Sequence, residues 1–199
     1  MRITIVAGCC ALTAVCLATT FAQAQEPASG EFSFDPIEVD SSNVPGARCY
    51  LGSRYIVVER ERRRSLGSDF FVRPRESSRC EADSLPGDYV LRDEWAAYFS
   101  GLHGDVLFID SGTGPDIRYL ILVDVAARRR LTELSYVDLA PGPDSLSVGV
   151  WVGFELEEPA PGCPAPVGGL LPGIDSLFFL DVRSGQTRST GRTRCAQRQ

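Results

Sequence analysis

Two apolar runs within the stretch 106-VLFIDSGTGPDIRYLILVDV-125 decide the fold class of this chain. Residues 106–109 and 119–125 are aliphatic or aromatic apart from Asp124, and the glycines and Pro115 between them are typical of a turn. Similar short runs occur at 50–58, 70–72, 131–137, 146–156 and 177–182. The pattern predicts an all-β fold, either an antiparallel sandwich or a meander.

One segment has helical rather than alternating spacing. Leu91, Trp95, Phe99 and Leu102 stand at positions i, i+4, i+8 and i+11, which would place them on one face of a helix. We therefore expect at most one or two short helices in the β fold. Both tryptophans, Trp95 and Trp151, are predicted to be core residues.

The N-terminal 24 residues have the pattern of a secretory signal peptide. Arg2 precedes an apolar run at 3–18, and Ala22-Gln23-Ala24 supplies a small-x-small cleavage site. The run is shorter than the roughly 20 residues of a membrane-spanning helix. We therefore predict a periplasmic or secreted protein without a membrane span, cleaved near Ala24. A lipoprotein signal ending in Cys9 is the alternative.

Four cysteines follow the signal segment, namely Cys49, Cys80, Cys163 and Cys195. An even number in an exported chain predicts two disulfides, for which three connectivities exist. The separations of 31 and 32 positions favour sequential pairing, Cys49 with Cys80 and Cys163 with Cys195. Closing loops of this length stabilises a fold by roughly 3–4 kcal/mol each.

The chain after the signal segment divides by composition. Residues 25–47 are acidic, rich in Ser and Pro, and poor in large apolar groups, so they predict a flexible leader. Residues 48–199 contain the predicted strands and all four remaining cysteines. They are long enough for a single β-rich domain with one core.

Composition excludes several classes of site. All 20 basic residues are Arg, so a P-loop lysine and a Schiff-base lysine are absent. The single histidine, His103, excludes a two-histidine metal site, and no cysteine spacing indicates zinc. A net charge of −6 argues against nucleic-acid binding. We expect no cofactor and no metal, and an enzyme is less expected than a binding protein.

The basic residues cluster between positions 60 and 79. We identify Arg62, Arg63, Arg64, Arg73 and Arg75 as candidates for an anion-binding surface. Because acidic blocks flank this cluster, mutual compensation of charge within one domain is the alternative. The resulting hypothesis is an exported β domain that acts by binding a protein or an envelope polymer, in an inhibitory or accessory role.

The segment Leu107-Phe108-Ile109-Asp110-Ser111-Gly112-Thr113 resembles the active-site loop of aspartic proteases. In that family two such aspartates share a proton, because two close carboxylates cannot both ionise. The motif occurs once here, so the resemblance implies a homodimeric peptidase with Asp110 as its catalytic residue. The alternative is a loop between antiparallel strands in which Asp110 bonds backbone amides.

Two segments have a similar shape. Leu122-Val123-Asp124-Val125 and Phe179-Leu180-Asp181-Val182 each end an apolar strand with Asp-Val before a polar turn. This pattern resembles the outer hairpin of β-propeller blades. Propellers need at least four blades, and only two such hairpins occur, so a sandwich or meander remains the predicted architecture.

Overall fold

The computed structural model describes residues 32–40, 45–77, 79–92, 95–114 and 118–198. The signal peptide, its cleavage site near Ala24 and the alternative lipoprotein cysteine Cys9 lie outside the described residues. Within the described ranges, no helix is long and apolar enough to cross a membrane.

The described residues form three antiparallel sheets in which strands that are consecutive in the chain lie side by side. The first sheet contains β1 (Glu38–Asp40), β2 (Ala47–Leu51), β3 (Tyr55–Glu61), β4 (Ser68–Pro74) and β5 (Tyr89–Leu91). The second contains β6 (Ala97–His103), β7 (Val106–Ser111), β8 (Arg118–Asp124) and β9 (Arg129–Tyr136). The third contains β10 (Asp138–Pro141), β11 (Ser147–Glu155), β12 (Leu171–Asp181) and β13 (Thr187–Arg198). The predicted all-β antiparallel class is confirmed, and each sheet is a meander.

The second sheet lies between the other two and is buried on both faces. Leu107 and Ile109 point to a core shared with the first sheet, whereas Val106 and Phe108 point to a core shared with the third. A strand with two buried faces is apolar at every position rather than at alternate ones. This burial explains the apolar runs at 106–109 and 120–123.

The helix predicted over residues 91–102 is wrong, since this segment contains the end of β5 and most of β6. A β-bulge between Phe99 and Gly101 shifts the register of β6 against β7. Residues on one face of a regular strand are two positions apart. The extra residue of the bulge turns both Phe99 and Leu102 toward the same core, although they are three positions apart. A bulge thus produced the apparent helical period. Trp95, predicted to be in the core, is 61% exposed, whereas Trp151 is buried.

Part of the predicted flexible leader lies within the folded body. Phe32 and Phe34 pack on Phe108 with ring centroids 5.8 and 5.1 Å apart. The Asp35 N–H donates to the carbonyl oxygen of Leu102 at 2.8 Å, and β1 pairs with β2. Apolar side chains at 32 and 34 therefore help to close the core between the second and third sheets.

Both predicted disulfides are present with the predicted sequential pairing. Cys49 and Cys80 are joined across 31 positions, and Cys163 and Cys195 across 32. Cys49 is fully buried on the outer face of the first sheet, the face turned away from the second sheet. The first disulfide therefore fastens the segment 79–88 over that face.

The two similar segments occupy equivalent turns of the second and third sheets. Asp124 ends β8 and accepts a hydrogen bond from the Ala127 N–H at 2.9 Å, and Asp181 ends β12 and accepts one from the Ser184 N–H at 2.8 Å. Hydrogen bonds from both the backbone and the side chain of Ser184 hold the pKa of Asp181 below its usual value. Each aspartate thus caps the turn into the last strand of its sheet.

Candidate binding surface at the turn between β3 and β4

The basic stretch predicted from the sequence ends β3 and forms the turn at 62–67. The inner arginines of this stretch are paired with carboxylates. Arg60 contacts Asp83 at 2.9 Å and Asp69 at 3.2 Å, and the Arg62 Nε atom donates to Asp69 at 3.0 Å. Asp69 therefore holds two guanidinium groups at the base of the turn, and their charge is largely compensated.

Arg63 and Arg64 differ from these inner arginines. Both are exposed, and neither has an ion pair with another described residue. They line an open cleft of about 800 Å³ together with Pro45, Gly46 and Asp83. The outer part of the turn therefore presents two guanidinium groups that are free to bind an anionic group.

Exposed apolar and aromatic side chains occur in the same turn and at the beginning of β6. Leu66 is 59% exposed at the turn, and it lines a second groove, of about 310 Å³, together with Tyr98 of β6. Gly67 has φ +87° and lies so close to Ala96 and the Ala97 amide that a Cβ would overlap them. The turn thus abuts the beginning of β6. We call residues Arg62, Arg63, Arg64, Leu66, Trp95 and Tyr98 the tip surface.

A buried carboxylate joins the tip surface to the second sheet. Glu59 is 6% exposed; it accepts hydrogen bonds from the Tyr50 hydroxyl at 2.6 Å and from the Phe99 amide at 3.2 Å. Burial, reinforced by this bond to Glu59, raises the pKa of Tyr50 to about 12. The Tyr50 and Phe99 rings stack with centroids 3.8 Å apart. These contacts hold β3 and β6 in a fixed relation below the turn.

The segment that resembles the aspartic-protease loop positions the backbone of Trp95 and Ala96. The Ser111 hydroxyl donates to the Trp95 carbonyl oxygen, and the Gly112 N–H donates to the Ala96 carbonyl oxygen at 3.1 Å. Ala96 has a φ of +43°, which is rare for a residue with a side chain. The end of β7 therefore fixes the exposed Trp95 at the edge of the tip surface.

Asp110 is buried in the second sheet, with both carboxylate oxygens in contact with neighbouring strands. One oxygen pairs with Arg118, and the other accepts a hydrogen bond from the Tyr136 hydroxyl at 2.9 Å. Burial raises the pKa of Tyr136, while Arg118 opposes the shift. These contacts give Asp110 a part in holding β7, β8 and β9 together. The peptidase interpretation of Asp110 stays a prediction.

The remaining predicted binding residues, Arg73 and Arg75, lie at the far end of β4 from the turn. A strand of this length spans roughly 20 Å. The Arg73 side chain is 1% exposed and pairs with Asp88 at 2.8 Å. It also donates to the carbonyl oxygens of Arg79 and Asp83. The structure therefore brings Arg62, Arg63 and Arg64 together but separates them from Arg73, which organises the segment over the first sheet.

His103 lies on a different face, beside the N-terminal segment. Its Nδ1 atom is 2.9 Å from the Ser33 carbonyl oxygen, and its ring contacts Phe32 with centroids 4.9 Å apart. It lines a cavity of about 510 Å³ together with Arg54, Asp105 and Arg183. The part of the chain that the structure describes contains no cluster of three His, Cys, Asp or Glu residues that could hold a metal ion.

Sequence reasoning identified the arginines of the tip surface but missed Leu66, Trp95 and Tyr98. The available signal was the Trp-Ala-Ala-Tyr-Phe stretch at 95–99, in which Tyr98 alternates with Ala97 and Phe99 as in a half-buried strand. The bulge that follows hid this alternation. Comparisons with family models, curated proteins and solved structures found no match to the chain.

Proposed function

We propose that this protein is an exported binding module that contacts its partner, a protein or an envelope polymer, through the tip surface. One observation carries this proposal: Arg63 and Arg64 are exposed, have no carboxylate partner among the described residues, and share their turn with the exposed Leu66. Charged groups next to exposed hydrophobic ones are typical of interaction sites.

The pairing of other arginines supports this choice of surface. Arg60, Arg73 and Arg194 each contact at least one carboxylate, at distances of 2.8 to 3.3 Å. Such pairs are satisfied within the fold, so their charge is less available to a partner. Arg63 and Arg64 have no carboxylate partner among the described residues, so no ion pair there compensates their charge.

The position of the tip surface also suits a binding role. The turn projects from the end of β3 and β4, and its base is fixed by Asp69, Glu59 and the contact of Gly67 with Ala96. A turn held at its base by these contacts limits the backbone ordering that binding requires. The two disulfides and the predicted signal segment agree with action outside the cytoplasm.

Binding to defined anionic polymers tests the proposal. Surface plasmon resonance with the immobilised protein would compare wild type with Arg63→Gln/Arg64→Gln, using polygalacturonate and poly-L-glutamate as probes. We expect the double variant to bind at least one of these probes about tenfold more weakly than wild type. The matched control, Arg129→Gln/Arg183→Gln, removes the same charge from exposed sites on other sheets and should bind as wild type does. Equal binding by all three proteins would overturn the proposal.

A further inference from the structure

We infer that the partner of the tip surface is a linear polymer of acidic sugars, an inference that rests on the proposed function. Two features of the surface have to be matched at once by the ligand: unpaired guanidinium groups and exposed aromatic rings. A carboxylated sugar polymer offers both an anionic group and an apolar ring face in each repeating unit.

The guanidinium groups match the anionic part of such a ligand. The planar fork of Arg binds a carboxylate through two parallel N–H···O bonds. Of the arginines at this turn, Arg60 and Arg62 pair with carboxylates, whereas Arg63 and Arg64 pair with none among the described residues. Glu61 is the remaining acid that lines both grooves of the turn. The two arginines therefore leave the turn with an excess positive charge.

The aromatic groups match the ring faces. The C–H bonds on one face of a pyranose ring pack against indole and phenol rings, and Trp95 and Tyr98 are 61% and 37% exposed. Ser111 holds the Trp95 backbone through its carbonyl oxygen, so the indole extends from a fixed backbone position. A purely ionic ligand would make no use of this platform.

The shape of the surface favours a polymer over an acidic peptide. The two grooves share Arg62, Glu61 and Ser65, so they form a path of open clefts around the turn. Peptides are bound by a free strand edge or by deep apolar pockets for anchoring side chains. The arginines of the tip surface lie at the end of the β3–β4 hairpin rather than on a strand edge, and the grooves are lined largely by charged and polar residues.

The test compares three probes of different chemistry on the same immobilised protein: polygalacturonate, neutral dextran and poly-L-glutamate. We expect wild type to bind polygalacturonate at least tenfold more tightly than either other probe. Trp95→Ala should weaken the binding of polygalacturonate about tenfold, because the sugar face loses its platform. Phe154→Ala, which removes a 47% exposed ring from the third sheet, is the matched control and should leave binding unchanged.

The outcomes separate this inference from the proposed function. If poly-L-glutamate binds as tightly as polygalacturonate and Trp95→Ala has no effect, the sugar inference is overturned, while a loss in Arg63→Gln/Arg64→Gln would still support the binding surface. If no probe binds, or if the arginine variant behaves as wild type, both fail. Unchanged thermal unfolding of Trp95→Ala would show that its loss of binding is local.

Discussion

The first and third sheets form the two ends of the stack, and they cover their outer faces in different ways. Over the first sheet lies the chain segment 79–88, fastened by a disulfide and by the buried pair Arg73–Asp88. On the third sheet, arginine side chains lie over the outer face: Arg194 lies over the Trp151 ring at 4.4 Å, and Arg198 crosses the strands to Asp175.

This difference explains how each sheet uses its charged residues. Asp175 on the third sheet is 3% exposed and is held by both Arg194 and Arg198, which form a ladder that also includes Asp138. Asp88 is held by one arginine, Arg73, together with the Leu85 amide. A shared carboxylate has redundant partners, whereas the single pair on the first sheet does not. An outer sheet face can therefore be covered by a segment of the chain or by long side chains, and the two arrangements tolerate substitution differently.

The largest difference in the free energy of unfolding is expected between variants of the two buried arginines, Arg73 and Arg198. Arg73→Met should lower the free energy of unfolding by about 3–5 kcal/mol, because Asp88 would remain buried without a cation. Arg198→Met should cost about 1–2 kcal/mol, since Arg194 still holds Asp175. Urea unfolding monitored by circular dichroism would measure both. Equal losses would show that the ladder on the third sheet provides no redundancy.

The disulfides provide a second comparison at matched loop length. Removing either bridge by paired Cys→Ala substitutions should cost about 4 kcal/mol through the entropy of the unfolded chain. Cys49→Ala/Cys80→Ala should cost about 1 kcal/mol more than Cys163→Ala/Cys195→Ala, because Cys49 is fully buried and Cys195 is exposed. Thermal unfolding under non-reducing conditions would rank the variants. The reverse order would mean that segment 79–88 contributes little to the core.

A smaller loss of stability is expected from a substitution that places a side-chain atom under the Arg198 guanidinium group. A Cβ at Gly153 would overlap the Arg198 guanidinium, so Gly153→Ala should displace that side chain from Asp175. We expect a loss of about 1–3 kcal/mol by urea unfolding. Gly114→Ala adds a methyl group where no atom lies within 4 Å, and it should unfold as wild type does. A neutral Gly153→Ala would show that Arg198 can pair with Asp175 by another path.

The smallest effects concern pH, and the two sheets should respond at opposite ends of the scale. Burial raises the pKa values of Tyr50 and Tyr55, both on the first sheet, to about 12. Their contribution to stability is complete below about pH 10, the ordinary tyrosine value, and is lost as the pH rises through 12. On the third sheet, the pKa of Asp181 is lower in the folded than in the unfolded protein. This shift stabilises the fold at pH values above the unfolded pKa, and the stabilisation is lost as the pH falls through the folded pKa.

Phenolate absorbance during alkaline titration would follow the tyrosines, and Tyr50→Phe should remove part of the phase near pH 12. Acid unfolding of Asp181→Asn should begin from a lower stability than wild type and depend less on pH. A titration in which Tyr50→Phe leaves the late phase intact would contradict the burial of that phenol.

Much of the fold could be predicted from the sequence, because it depends on local patterns. Short runs of β-branched and aromatic residues between turn residues predict strands whatever their partners, and the four cysteines with matched separations predict the two bridges. The caps at Asp124 and Asp181 are also local, since each bonds amides within three residues. These features require no knowledge of how the sheets pack.

The tertiary structure alone decided which arginines are available. Arg63 and Arg73 are the same residue type within one basic segment, yet one is exposed at a turn and the other is buried beneath segment 79–88. The distinction depends on Asp88, which pairs with Arg73, and on the Cys49–Cys80 bridge, which fastens segment 79–88. In the same way, the bulge in β6 exists only because the strand pairs with β7. Charge and spacing are properties of the sequence, but burial and pairing are decided by long-range contacts.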